Sequence, residues 1–340
     1  MPPSTRCNIP IALNQRLFSE MLRRVPLWVT LVPLLLAGGL YWLLWSGWAK
    51  EFGAVVEDVL PASDIAVTGF PYRLETEVAS PSWSFGSGVK IAASADRAFI
   101  NRGPWAPELT VIRAEYPKFS AIVGPGFGAS FTGKAALTSV KIVEGRLVRL
   151  SSVIEAAKAR LGFTPVGIGA DVLELHLRER DPAAKAPDSA TLPPRGQLVV
   201  KGERLRFDGG DALTFAADIT ANGAARLTDF DRWAHDGTIE VAKLTLADAH
   251  GEVAMVAATV VPVGRTALRF AGTIETVCPA NVLAAFDGAP AVAEQRLRIP
   301  LRLAFDGLAG AIRLSGVPGD LALRARRGQD PACPAIRGRG

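Results

Sequence analysis

The sequence is poor in the side chains that carry chemistry. Its 340 residues hold only three His and three Cys, and neither type is clustered. No HExxH or comparable spacing occurs, which excludes the usual way of placing two imidazoles on one helix face around zinc. No GxSxG elbow is present, and Ser130 to Lys134 is one residue too long for an SxxK pair. Gly124, Gly126 and Gly128 follow an apolar stretch as a phosphate loop would. Pro125, however, removes one N–H donor and no helix start follows, so the segment reads as a glycine-rich turn. Nothing in the chain calls for a cofactor. No Asn-x-Ser/Thr acceptor occurs either.

A clustered basic face is also missing. The formal charge is +5, but residues 1–24 hold four Arg against one acid, and residues 324–340 hold five Arg against Asp330. Between these ends stand 29 basic and 31 acidic side chains. A body this close to neutral offers no electrostatic footprint for nucleic acid.

What the chain does have is apolar sequence and residues that turn it. There are 33 Gly and 24 Pro, and 49% of residues are hydrophobic, a balance that favours strands with tight connections. From Val25 to Trp48 there is no charged side chain. As a helix this run spans roughly 36 Å, enough for a hydrocarbon core of about 30 Å. Trp28 at one end and Tyr41, Trp42, Trp45 and Trp48 at the other are placed as interfacial anchors. A cleaved signal peptide is the competing reading. Its apolar region is shorter, and small residues precede its cleavage site where this chain has Trp45 and Trp48. Arg6, Arg16, Arg23 and Arg24 precede the run, so the positive-inside rule puts residues 1–24 in the cytoplasm and the remainder outside it. Residues 49–63 read as a juxtamembrane stalk ended by Pro61.

Residues 64–323 form the body. In GFPYRLETEV the period becomes two, with Phe70, Tyr72, Leu74, Thr76 and Val78 on one side. Residues 81–88 read as a turn region. Strands are expected at 89–95, 98–102, 109–115 and 118–123, with more strand over 131–145. Ser152 with Glu155 resembles a capping box, and Val153, Ile154, Ala157 and Leu161 make a helical stripe, so a helix is expected from Ser152. A strand over 172–178 precedes an aperiodic Pro/Ala/Ser loop at 181–195, which divides the body into possible halves 64–180 and 196–323. The second half alternates cleanly. Leu213, Phe215, Ala217 and Ile219 face one way, as do Leu268, Phe270, Gly272 and Ile274, and as do Leu297, Ile299, Leu301, Leu303 and Phe305. Val253 to Val261 is apolar on both faces and reads as a central strand. Short helices are expected at 229–235, 281–286 and 291–296. The fold class is α+β, dominated by strands: one N-terminal transmembrane helix, then a large twisted antiparallel sheet with a few covering helices.

At Gly69 to Leu74, GFPYRL, following a basic N-terminus, one apolar helix and a short stalk, the chain resembles the family known as domain of unknown function 2125. PLRLAFDG at Pro300–Gly307 and IRLSGVPGD at Ile312–Asp320 are similar to that family's closing strands. Tyr72 stands where the family pattern has Phe. The resemblance implies a bacterial inner-membrane protein with its body in the periplasm. It assigns no catalytic residue.

The leading functional expectation is a non-enzymatic envelope protein that binds a lipid, another apolar ligand or a protein partner along the sheet. Phe270, Leu301 and Phe305 are the candidate ligand-binding residues, because so many one-faced strands need more cover than the expected helices provide. One rival is a hydrolase or metal enzyme around Asp229, Asp231 and His235, whose acids equally suit an ordinary helix N-terminus. A structural subunit of a membrane complex is another. Residues 324–340 read as a disordered basic tail unless Cys333 is held. Cys278 and Cys333 lie on the same side of the apolar run, whereas Cys7 precedes it, so the two form the candidate disulfide.

Overall fold

The computed structural model describes residues 27–61, 65–86, 90–124, 127–162, 166–180, 192–225, 230–264, 267–321 and 329–338. It begins with one long helix, α1 (Leu27–Val59). Most of the described residues after it form a strand meander. Segments β1 (Leu74–Ala79) and β2 (Ser82–Phe85), β3 (Lys90–Ser94) and β4 (Arg97–Arg102), β5 (Leu109–Glu115) and β6 (Lys118–Gly124), and β7 (Phe127–Thr132) and β8 (Ala135–Val143) each form one long interrupted strand. The proof is the register. β1 pairs with β4 as β2 does with β3, β4 with β5 as β3 does with β6, and β5 with β8 as β6 does with β7, with no slip across any break.

The long strands continue as β9 (Arg146–Leu161), β10 (Gly167–Glu179), β11 (Pro194–Phe207) and β12 (Leu213–Asn222). After the short helix α2 (Phe230–Asp236) come β13 (Thr238–Asp248), β14 (Gly251–Val263) and β15 (Ala267–Thr276). Helix α3 (Pro279–Phe286) and the two-residue β16 (Gln295–Arg296) intervene before β17 (Leu301–Leu308), β18 (Arg313–Ser315) and the tail strand β19 (Gln329–Ala332). Each long strand is antiparallel to its neighbour in sequence, within one sheet of 17 segments, while β16 and β19 pair separately.

The breaks in the first strands lie on one line. Ser80 N–H donates to Asp96 O at 2.8 Å, Asp96 N–H to Glu115 O at 3.0 Å, and Tyr116 N–H to Lys134 O at 2.9 Å. Lys134 N–H then donates to Glu155 O at 2.9 Å, and across β10 and β11 Asp171 meets Arg204 at 2.8 Å. Ser80, Tyr116, Ala156 and Arg204, on alternate strands of this line, have φ near +50°. A residue inserted this way bends the strand and shifts its alternation by one. Accordingly Ile154 and Ala157, Ala170 and Leu173, and Gly202 and Leu205 are all buried although each pair is three apart.

That shift explains one correction. The expected helix from Ser152 is the middle of β9. Ser152, Ile154, Ala157 and Ala159 point inward, and the bulge at Ala156 gives the strand a spacing of three that imitates a helix. The turn region at 81–88 contains β2, and the helix expected at 291–296 is an irregular segment ending in β16. Helices do form at α2 and α3, close to the expected 229–235 and 281–286. Residues 329–338 of the tail expected to be disordered are ordered. Cys278 and Cys333 are bridged, with Cα atoms 5.7 Å apart. The loop at 181–191 lies outside the described residues, and β11 starts within its expected end.

Helix α1 is continuous through the expected boundary between span and stalk. Its first part, Trp28 to Leu44, is almost wholly exposed, with large apolar side chains all round. Its second part has one buried stripe, Trp45, Ala49, Phe52 and Val56, spaced four, three and four. With Leu60 this stripe packs on Leu74, Val78 and Ile100 of β1 and β4. Arg102 stacks 5.3 Å from the Phe52 ring centre and donates to Thr110 Oγ1 through Nε and Nη2. Burial pulls the pKa of this guanidinium down, with Glu51 opposing.

Candidate apolar ligand site

Alternation gives the sheet an inner apolar face, and three packed clusters run along it. The first lies under α1. The second joins Ala136, Ile154, Ala157, Ala170, Leu173 and Leu205 of β8–β11. The third joins β12–β17 to α3 and the tail, and Phe207 belongs to the margin of both the second and the third. The cover is incomplete. Past the end of α1, Trp83 and Phe85 stack at 6.0 Å and cross-strand partners Phe119 and Phe131 sit at 6.2 Å. Phe85 is still 62% exposed and Phe119 39%.

Further along, the face curls into a cavity of about 550 Å³. Leu161, Ile168 and Phe207 of β9–β11 form one wall, and Leu246, Val256 and Ile274 of β13–β15 form the other. Helix α3 contributes Val282, Ala285 and Phe286, and the tail contributes Ile336. The ionisable side chains on this lining are Asp287 and Arg337. A space with apolar walls and these two charges suits a hydrocarbon chain carrying a polar head.

The wall made by α3 and the tail is firmly specified. Ala280 and Asn281 N–H both donate to the Glu294 carboxylate at 2.9 Å, which serves the free donors at the start of α3. Burial pushes the Glu294 carboxyl up, against the two N–H donors that favour its ionised form. Asn281 closes the same loop by exchanging hydrogen bonds with Val292. Buried Arg296 pairs with Asp248. The tail then crosses from α3 to the β11–β12 turn. Cys333 N–H donates to Glu294 O, Ala335 N–H to Asp211 at 2.7 Å, and Arg337 Nε to Asp208 at 2.7 Å. Asp208 also accepts from Gly167 N–H at 2.7 Å, tying in β10. The approach needs glycine at position 210, where a Cβ would stand 2.6 Å from Ala335 O.

The expected ligand residues lie one step from this cavity. Phe270, Leu301 and Phe305 are on the inner face, in the cluster under α3. Phe305 is buried against Gly272, where a Cβ would come within 2.7 Å of its ring, so it serves packing. The cavity walls from β9–β11 escape sequence reasoning because they are far away along the chain. Three strands separate β10 from β14, and only curling brings Ile168 and Val256 to one space. The available signal is the apolar alternation of the strands, which marks an inner face without saying what that face meets.

Of the possible metal ligands, Asp229 and the side chain of Asp231 lie outside the described residues, and His235 is exposed in the last turn of α2. Among the described residues no three His, Cys, Asp or Glu side chains come together as a metal site. What α2 does bury is Trp233, 1% exposed, whose Nε1 donates to Asn222 O at 2.9 Å. Gly223 and Gly237 flank the indole so closely that a Cβ on either would lie about 2.5 Å from it.

Compared with known protein families, residues 59–276 match a family described as an uncharacterized protein conserved in bacteria. No curated protein and no solved structure matches the chain.

Proposed function

This chain belongs to the family of domain of unknown function 2125, and on that premise we propose that it is an inner-membrane-anchored protein whose body, in the periplasm, holds the acyl part of a lipid in the apolar trough of its sheet. The observation that carries the reading is the inner face itself. It is uncovered at Phe85 and Phe119, continues past the end of the docked helix, and deepens into the cavity between Ile168 and Val256. Exposed apolar surface of this extent costs free energy in water and is offset when a ligand or partner occupies it.

The anchor reading is supported by length and by packing. At about 1.5 Å per residue, the 33 residues of α1 reach roughly 50 Å. The stretch from Trp28 to Leu44 exposes Leu and Trp side chains that water does not favour. A signal peptide is discarded, whereas Trp45, Phe52 and Val56 fill the core under β1 and β4, so removing the helix would open that cluster. The Arg residues before the span favour a cytoplasmic N-terminus. The open part of the trough lies beyond the far end of the docked helix, at the strand ends that carry Phe85 and Leu161. An apolar lining whose ionisable side chains are Asp287 and Arg337 supports binding over catalysis.

Native mass spectrometry of the full chain released from detergent tests this. Co-purified phospholipid is expected on the unaltered protein. Ile168→Arg and Val256→Arg, each placing a charge on a cavity wall, should remove it. Val153→Arg, on the outer face of β9, should keep it, with thermal melting used to select folded variants. Lipid retained equally by all three would contradict the trough as the site.

A further inference from the structure

The GFPYRL segment is the most recognisable piece of this sequence, and the trough does not use it. Its place in the fold is at the edge of α1. Gly69 has φ 97°, and a Cβ there would stand 2.7 Å from Arg73 O, so the loop closes tightly only with glycine. The loop turns two of its carbonyls toward the helix. Tyr41 Oη donates to Pro71 O at 2.5 Å, and Trp45 Nε1 donates to Arg73 O at 3.3 Å. Phe70 packs edge-on against Trp45 at 5.4 Å and tilted against Tyr41 at 5.9 Å. From the β4–β5 connection Trp105 stacks on Tyr41 at 5.8 Å and meets Trp48 edge-on at 5.5 Å.

These rings form a collar around one level of the helix, where the exposed apolar stretch ends and the docked stripe begins. From the body, Trp105 of this collar is 68% exposed, and Tyr72 of the adjoining loop is 80% exposed. Amphipathic rings gathered at the end of an apolar span are what the headgroup layer of a bilayer accommodates. A body that merely hung from its anchor would have no reason to carry exposed rings at this level, nor to fix the loop beside them by hydrogen bonds from the helix.

We propose that the GFPYRL loop and Trp105 are a membrane-interface seat: they lock α1 to the body and insert Tyr72 and Trp105 into the headgroup layer of the phospholipid surface. The occupant is the bilayer that α1 crosses, because the collar is continuous with the lipid-facing part of that helix. This rests on the anchor reading above but not on the trough. Its consequence is a fixed pose. The body sits against the membrane on the β1–β4–β5 end of its sheet, with the β13–β14 turn at His250, at the opposite end of the strands, held away from it.

The test uses the full chain with Cys7→Ser, whose remaining cysteines are bridged, reconstituted in vesicles of phosphatidylethanolamine and phosphatidylglycerol. A polarity-sensitive fluorophore is attached to one new cysteine at a time: Tyr72→Cys, Leu36→Cys within the apolar stretch, or His250→Cys. Nitroxide-labelled lipids then quench by depth. The proposal expects several-fold stronger quenching at position 72 by a shallow nitroxide than by a deep one, the reverse order at position 36, and neither at position 250. Position 72 as unquenched as position 250, with position 36 still deep, would overturn the seat while leaving the anchor intact. Position 36 unquenched would overturn the anchor and the seat together. As a second measure, Phe70→Ala with Trp105→Ala should reduce the shallow quenching at position 72 without changing position 36. No change there would mean that the collar does not hold the pose.

Discussion

Replacing Cys278 and Cys333 together by alanine is expected to lower the unfolding free energy by about 4 kcal/mol. The bridge closes a separation of 55 residues, and in the chain-entropy model a cross-link of that span removes roughly this much freedom from the unfolded chain. The effect reaches the trough as well. The tail from Gln329 to Gly338 has its own contacts, the β16 pairing and the Asp208 and Asp211 hydrogen bonds, but the bridge fixes their middle to α3. Guanidinium unfolding of the full chain in detergent, followed by tryptophan fluorescence, should show a lower midpoint for the alanine pair. Reductant should produce the same fall in the unaltered protein and none in the variant. A midpoint unmoved by either change would mean that the tail is held by its hydrogen bonds alone.

The second large effect belongs to Trp233. Truncation to alanine removes a fully buried indole and leaves Asn222 O without its donor, a loss of about 3–5 kcal/mol for an aromatic-to-alanine change in a core. His235, exposed two residues on, should change stability by no more than about 0.5 kcal/mol when replaced by alanine. The contrast separates two readings of DFDRWAHD. As a metal site its weight would fall on His235 and the acids, and stability would respond to zinc or calcium. As a plug its weight falls on the tryptophan between Gly223 and Gly237. Thermal melting of both variants, with and without added metal ion, decides between them.

Much of the fold was legible because the second half of the chain obeys a simple rule. Leu213 to Ile219, Leu268 to Ile274 and Leu301 to Phe305 alternate without interruption, and each is a strand with that face inward, whereas Leu297 and Ile299, expected on the same face, precede the strand and Ile299 is 81% exposed. The first half breaks the rule in one place per strand. At Ala156 the insertion turns Ile154 and Ala157 to the same side, and a window that spans it reads as helical. The same insertion after Ala79 disguised β2 as a turn. The error was local, yet its cause extends across strands, because each is bent where its neighbour is bent.

The site was less legible than the fold. An apolar inner face was evident from Phe270, Leu301 and Phe305, but which part of it stays open depends on what covers it. Phe305 is closed off by Gly272 and its neighbours, whereas Ile168 and Val256 border open space. Neither sequence window refers to the other. The ordered tail was legible only through its cysteine, since the contacts of Ala335 and Arg337 with Asp211 and Asp208 span more than 120 residues. The role of GFPYRL was hidden for a different reason. Besides the Phe70 ring, its carbonyls receive Tyr41 and Trp45, and backbone acceptors leave no mark on the sequence.

The central claim is that hydrocarbon occupies the trough in the cell, and photo-crosslinking tests it most directly. A benzophenone amino acid would replace Phe207, on the cavity wall, or Val153, on the outer face of β9, in the full chain in living bacteria. After irradiation and purification, intact-mass measurement should find an adduct of phospholipid mass at position 207 and none at position 153. No lipid adduct at position 207, or equal adducts at both, would contradict the account.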